Sequence, residues 1–209
     1  MFIPLVDVLR CPNAHEETWL VASIDRADDR DIRAGTLGCP ICTAEYPIRD
    51  GVVIFDEAVP PPPYQAPSEE DAMRLAAALD LTDARMTAVL QGDWGVHAPI
   101  IIGMSPAQLI LVNPPDGIAS GDGVSIVRAV LAPLARGSVD AAAFDSSASP
   151  AMIASLVASV RPGGRLVAPA STAMPDGATE LVRDDDIWVA HVEGGATSAP
   201  ISLARRRRE

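Results

Sequence analysis

Cys39 and Cys42 enclose two residues on a proline-bearing turn, Cys39-Pro40-Ile41-Cys42. The only other cysteine, Cys11, stands well upstream, with His15 following it in a Cys11-x3-His15 spacing. Structural zinc takes four tetrahedral ligands, usually thiolate or imidazole, from two short knuckles. Cys39 and Cys42 form one knuckle, and Cys11 with His15 offers the other. The candidate metal ligands are therefore Cys11, His15, Cys39 and Cys42. The residues leave one alternative open: a metal-free fold with three buried thiols and an exposed His15. Dithiol redox chemistry favours a CxxC at a helix N-terminus after a strand. This CxxC precedes a hairpin, so that reading is set aside. Three cysteines in a paired-plus-single pattern suit a metal in a reducing compartment better than disulfides, and a cytoplasmic location is expected.

The rest of the chain is poorer in chemistry. His97 and His191 have no placed partner and read as surface or core-edge residues. Asp140 and Asp145 flank one apolar run, and Asp145 stands where either a substrate-side carboxylate or a water-facing strand end would lie. Asn113-Pro114-Pro115-Asp116 resembles an amino-methyltransferase signature but lacks its aromatic residue. No catalytic residue is assigned. The net charge of −12 does not give the basic footprint of a nucleic-acid binder. The one basic cluster, Arg205–Arg208, reads as a solvated tail. No apolar run approaches the roughly 20 residues that span a bilayer. Met1–Arg10 has no basic region ahead of its apolar part and is not expected to act as a secretory leader.

Four regions follow from composition: a β-rich, zinc-ribbon-like segment over 1–57, a Pro-rich linker over 58–67, an α/β domain over 68–204 and a basic tail over 205–209. In the first, Trp19–Ile24 reads as a strand and the charged stretch Asp25–Gly35 as a loop or hairpin tip. Tyr46–Ile48 and Val52–Phe55 are strands around an Asp50-Gly51 turn, a strong hairpin signal. Pro60–Pro63 forces an extended backbone. Ser68, with acids after it, caps a helix through Leu79. Met86–Leu90, Gln108–Val112, Val124–Val127, Val139–Asp145 and Arg165–Pro169 are short buried strands. Residues 96–106 would be a short helix broken by Pro99 and Pro106. Pro150 opens a helix that Arg161-Pro162-Gly163-Gly164 ends. Residues 179–183 and 187–192 form a late antiparallel hairpin. Alternating strands and helices imply a mostly parallel, Rossmann-like sheet covered on both faces.

Two resemblances follow. Leu9-Arg10-Cys11-Pro12, Gly35-x-Leu37-x-Cys39-Pro40-x-Cys42 and Tyr46-Pro47-Ile48-Arg49-Asp50-Gly51-Val52 resemble the zinc-ribbon family of tRNA-methyltransferase activators. That resemblance implies a non-catalytic module that adds a strand to a class I methyltransferase sheet and covers apolar surface. The usual second cysteine of the first knuckle is absent. Residues 68–200 resemble a class I S-adenosylmethionine-dependent methyltransferase, through Leu131–Ala141 and Val160-Arg161-Pro162-Gly163-Gly164-Arg165-Leu166-Val167. The resemblance implies a Gly-rich loop after the first strand and acids at the ends of the first two. Here the loop is Leu90-Gln91-Gly92-Asp93-Trp94-Gly95, and Asn113 ends the second strand.

The expectation is a binding or scaffold protein with a degenerate methyltransferase-like domain. Zinc is its structural metal, and S-adenosylmethionine is not expected to bind. The ribbon's partner would be its own α/β domain or a separate methyltransferase, with neither nucleic acid nor membrane. The rival is an active methyltransferase with a built-in activator. An open groove beside Asn113 would favour the enzyme; a groove filled by Trp94 or the Pro99 segment would favour the scaffold.

Overall fold

The computed structural model describes residues 1–58 and 60–194. Arg205–Arg208 and the end of the expected α/β domain lie outside the described residues. All the described strands belong to one 11-stranded sheet. Five parallel strands form its centre: β5 (Thr87–Gln91), β6 (Gln108–Val112), β7 (Val124–Arg128), β8 (Val139–Ala143) and β9 (Val160–Pro169). Their side chains are buried on both faces, which is why they read as unbroken apolar runs rather than alternating ones. The late hairpin, β10 (Ala178–Arg183) with β11 (Ile187–Val192), closes one side antiparallel to β9.

Helices cover both faces. α1 (Glu69–Ala78) and α2 (Ala98–Met104) bury Leu75 and Ile101 on one face with Leu90, Leu109 and Leu111. α3 (Pro150–Ser159) buries Met152 and Leu156 on the other, where Phe144 meets Trp188 edge-on with ring centroids 5.7 Å apart. Serines cap α1 and α3: Ser68 accepts from Asp71 N and Ser149 from Met152 N. Pro99 does not break α2; it sits in the first turn, where a missing N–H is harmless. Among the described residues no helix is long and apolar enough to cross a membrane.

The N-terminal segment is an antiparallel meander of β1 (Val21–Asp28), β2 (Asp31–Gly38), β3 (Glu45–Arg49) and β4 (Val52–Ile54). It belongs to the same sheet. β4 runs parallel to β7, with Val52 opposite Ile126, Val53 opposite Val127 and Ile54 opposite Arg128. The sheet therefore crosses the stretch expected to be a linker. Pro60–Pro67 themselves have no regular structure. Leu5, Leu9, Ile32, Leu37 and Val53 share the core that holds Phe144 and Trp188.

Two expectations are corrected here. Asp25–Gly35 is a hairpin and not a loop, and its tip is shorter than expected: β1 and β2 run through it and only Asp29-Arg30 turns. β1 is an edge strand exposed on both faces, so Asp25, Arg26 and Asp28 project into water while Ile32 on β2 is fully buried. Arg161-Pro162-Gly163-Gly164 does not separate α3 from its strand but lies inside β9, at a register shift against β8.

The Asp50-Gly51 turn joins β3 to the docking strand β4. Both residues have positive φ, 49° and 80°, as a two-residue hairpin with right-handed twist requires. A Cβ on Gly51 would fall on Ser120 Oγ and lie 2.9 Å from the Met1 nitrogen. Arg33 Nη1 donates to Ser120 O at 2.9 Å, and Gly51 N to Arg33 O at 2.9 Å. The turn is thus wedged between the chain start and the loop before β7. Gly51→Ala should lower stability by about 2 kcal/mol or more, from backbone strain plus the collision. Thermal and urea melts followed by circular dichroism check this; a loss below about 0.5 kcal/mol, within the range of unremarkable surface substitutions, would show the wedge to be loose.

Candidate metal centre and strand-end groove

Two knuckles bring the sequence-selected ligands together. In the first, Cys11 N donates to Thr18 O at 3.1 Å and His15 N to Asn13 O at 2.9 Å. In the second, Thr43 N donates to Cys39 O at 3.0 Å, Cys39 N to Ala44 O at 2.9 Å, and Thr43 takes a φ of 58° to close the turn. The donor atoms of Cys11, His15, Cys39 and Cys42 all lie within 4.8 Å of one another. Cys11 Sγ is 3.7 Å from Cys42 Sγ, and His15 Nε2 is 3.2 Å from Cys11 Sγ and 3.4 Å from Cys39 Sγ. Tetrahedral zinc bonds imply about 3.8 Å between sulfurs and about 3.6 Å between sulfur and nitrogen. The set fits a metal and is far too open for a disulfide.

The surroundings fix the ligands. His15 Nδ1 lies 2.7 Å from Glu16 O. A carbonyl only accepts, so Nδ1 carries the proton and Nε2 is left as the acceptor facing the sulfurs. Asn13 Nδ2 donates to Cys42 Sγ at 3.3 Å, and that bond leads the causes that bring the Cys42 thiol down to about 6. Cys11, buried, is pushed up instead. Tyr46 Oη lies 3.3 Å from Cys11 Sγ; burial first, then this contact, raises the phenol, which stays protonated as a donor. Asn13 and Tyr46 are additions that the ligand spacing did not reveal.

The second site lies at the carboxyl ends of the parallel strands. A groove of about 430 Å³ opens between Gln91, Gly92, Asn113, Ala129 and Met152 on one side and Pro60–Pro62 on the other. Its lining carries no ionised side chain. Neither Trp94 nor Pro99 fills it; Trp94 packs on the α1/α2 side, 5.9 Å from the His97 ring. The groove beside Asn113 is therefore open.

The Asn113 amide and the Gln91 carbonyl oxygen are already engaged. Asn113, buried with a φ of 53°, donates from Nδ2 to Ala129 O at 2.7 Å and accepts at Oδ1 from Ala129 N at 2.9 Å. Gln91 Oε1 accepts from Asp145 N at 3.1 Å. Asp145 does not face water: it is 8% exposed, and its carboxylate accepts from Asp93 N at 2.7 Å and from Ser147 N at 2.8 Å. Gly92 has a φ of 63°, and a Cβ there would fall on Asp145 Oδ2. The close approach that demands this glycine is made by the protein's own carboxylate. An Asp-x-Ser turn after the strand was the available sequence signal for it.

The remaining candidates are structural. Asp140 Oδ2 accepts from Thr87 N at 2.8 Å and its Oδ1 from Arg161 Nε at 2.6 Å, at the opposite ends of the strands. Asp116 pairs with Arg128 at 3.3 Å, and Pro114 backs onto Gly95. His191 lies on β11, opposite Arg165 and Thr179.

No family model and no curated protein matches the chain. Solved structures do. A geranyl diphosphate methyltransferase in complex with SAM is 18% identical, with 48% of each chain covered and a TM-score of 0.39. A Corynebacterium glutamicum protein is 16% identical over 64% of this chain and 85% of its own, with a TM-score of 0.45. The MycE methyltransferase of the mycinamycin pathway, in complex with Mg, SAH and mycinamycin VI, is 12% identical over 68% of this chain and 53% of its own, with a TM-score of 0.46. The match thus takes in about half the length of the two methyltransferases. The strand order itself shows a mixed α/β architecture whose central strands run parallel, as the sequence led us to expect, with antiparallel strands added on either side.

Proposed function

We propose that this is a non-catalytic binding protein of the methyltransferase-activator type, whose zinc-bearing ribbon serves its own methyltransferase-like half. The observation that carries the reading is the locked Asn113. At the end of the second parallel strand an enzyme of this kind would offer a free carboxylate to the ribose hydroxyls. Asn113 has no charge, and both ends of its amide are tied to Ala129. Gln91, at the end of the first strand, is also uncharged, and its Oε1 accepts from Asp145 N. The ribbon's last strand already lies on β7, so the edge it covers belongs to the same chain. A separate methyltransferase remains a second partner under this proposal, reached through another face. One observation favours the rival enzyme: the groove beside Asn113 is open.

Calorimetric titration of the full chain with S-adenosylmethionine and with its demethylated product separates the two. We expect no binding tighter than about 1 mM. Micromolar binding that Gly92→Trp abolishes would establish the enzyme in place of the scaffold.

Zinc fits the Cys11, His15, Cys39 and Cys42 set by donor type, spacing and the orientation of His15 Nε2. A bound ion would clamp the two knuckles and add folding energy to a thin, β-only segment. Purified protein should carry one zinc per chain by elemental analysis, and a strong chelator should lower its melting temperature. Protons compete with the metal for the thiolates, so affinity should already fall as the pH drops through the ordinary thiol range, where Cys11 takes its proton, and fall more steeply below about 6, where the Cys42 thiol follows. A folded sample with no metal, and a melt unmoved by added zinc, would assign the metal-free ribbon.

A further inference from the structure

Behind the loop that carries Trp94, on the side away from the groove, two adjoining cavities of about 320 and 330 Å³ share Asp71, Trp94, His97 and Pro169 as walls. They lie between the N-terminal turn of α1 and the ends of β8 and β9. Nothing in the proposed scaffold role uses them. Asp93 and Asp145 line one cavity, Asp186 lines the other, and Asp71 lines both. The one cation there, Arg74, is already taken by Asp184 and by Asp186 at 2.9 Å. The cleft is thus strongly negative, and Asp93 titrates high because burial and then Asp145 disfavour its charge.

A second, independent feature marks the place as a binding site. His97 is only 8% exposed, lines both cavities, and its Nδ1 has no hydrogen-bond partner. The Trp94 indole N–H beside it is also buried and unpaired. Buried polar groups are nearly always satisfied by protein, water or ligand; these two side chains line the cleft, and a partner for their sealed orphan atoms reaches them from it once the Trp94 or His97 ring turns.

The chemistry selects its class. A single metal ion is disfavoured, because among the described residues the Cys11/His15/Cys39/Cys42 knot is the only set of three or more such side chains whose donor atoms converge. The acids here are spread around a space large enough for several heavy atoms, with an indole in its wall. Dispersed carboxylates around a tryptophan suit a polyatomic organic cation, held by ion pairing and cation–π attraction. We propose that this cleft binds a small alkylammonium or methylammonium compound, with its cationic head at Trp94 and the carboxylates of Asp71 and Asp93, and a polar group that reaches His97.

The test uses the full chain and two probes of the same shape, choline and its neutral carbon isostere 3,3-dimethylbutan-1-ol. Calorimetry, with two-dimensional NMR to follow the Trp94 indole N–H, should show choline binding with a Kd of about 1 mM or below and the isostere at least about tenfold weaker. Asp71→Asn with Asp93→Asn, both exposed positions that should leave the fold intact, should weaken choline by about tenfold, and Trp94→Leu by a similar factor. Equal binding of the two probes, or none at about 10 mM, would overturn the proposal. Binding of S-adenosylmethionine alone at this cleft would also overturn it; if that binding were lost on Gly92→Trp, the scaffold reading would fall with it, and otherwise only this inference would.

Discussion

The structure depends on one edge being sealed. β7 is buried on both faces, with Val124, Ser125, Ile126 and Val127 all inaccessible. As the last strand of a parallel sheet it would present an apolar strand with unpaired N–H and C=O groups, an aggregation hazard. β4 removes that edge with a short parallel ladder and places Val53 in the core. Burying a valine side chain contributes about 1.5 to 3 kcal/mol. What lies outside β4 is a meander that ends in β1, a strand exposed on both faces and studded with charge. The hydrophobic edge is thereby exchanged for a polar one, which soluble sheets tolerate.

That arrangement explains the metal knot's position. β4 can dock only if the β3–β4 hairpin is rigid, and β3 follows directly on the Cys39–Cys42 knuckle. The second knuckle is tied to the first by Tyr46 on β3 itself, through Cys11 Sγ. The Arg10–Trp19 bridge closes the first knuckle, and the Leu9–Leu134 bridge carries it back to the α/β half. Four ligands thus link two separate stretches of chain at the end of the meander. A metal there would stiffen the strand that seals the sheet, a structural duty that needs no open coordination position.

Much of this was legible in sequence, for identifiable reasons. The Cys and His spacing named the knot because metal geometry restricts ligand number and type. Asp50-Gly51 named its hairpin because both positions need positive φ. The central strands were legible as apolar runs. Asp25–Gly35 was not, because an edge strand solvated on both faces has a loop's composition; only Ile32 betrays it. Gln91–Gly95 reads as a loop but forms a 3-10 turn, Gly92–His97, that leads into α2. Pro99 misled in the same region, since a proline's effect depends on which turn of the helix receives it. From its position Asp145 could be a substrate-side carboxylate or a water-facing strand end, and it is neither open to water nor free. Its burial follows from long-range contacts with Gln91 and Asp93, and no local pattern encodes them.

Asp145 also shows how the fold divides its own space. Open parallel sheets leave a crevice at the strand ends where the strand order reverses, and a glycine there lets something come close. In this chain the close visitor at Gly92 is internal. By accepting from Asp93 N, the Asp145 carboxylate pins the first turn of the segment that carries Trp94 and His97 away from the groove. The same contact leaves the groove without ionised groups and the cleft behind it with several. One buried carboxylate therefore separates an uncharged crevice from an acidic one on either side of a single loop. On the acidic side stand Trp94 and His97, whose Nε1 and Nδ1 are two of the five buried polar atoms left without a partner among the described residues.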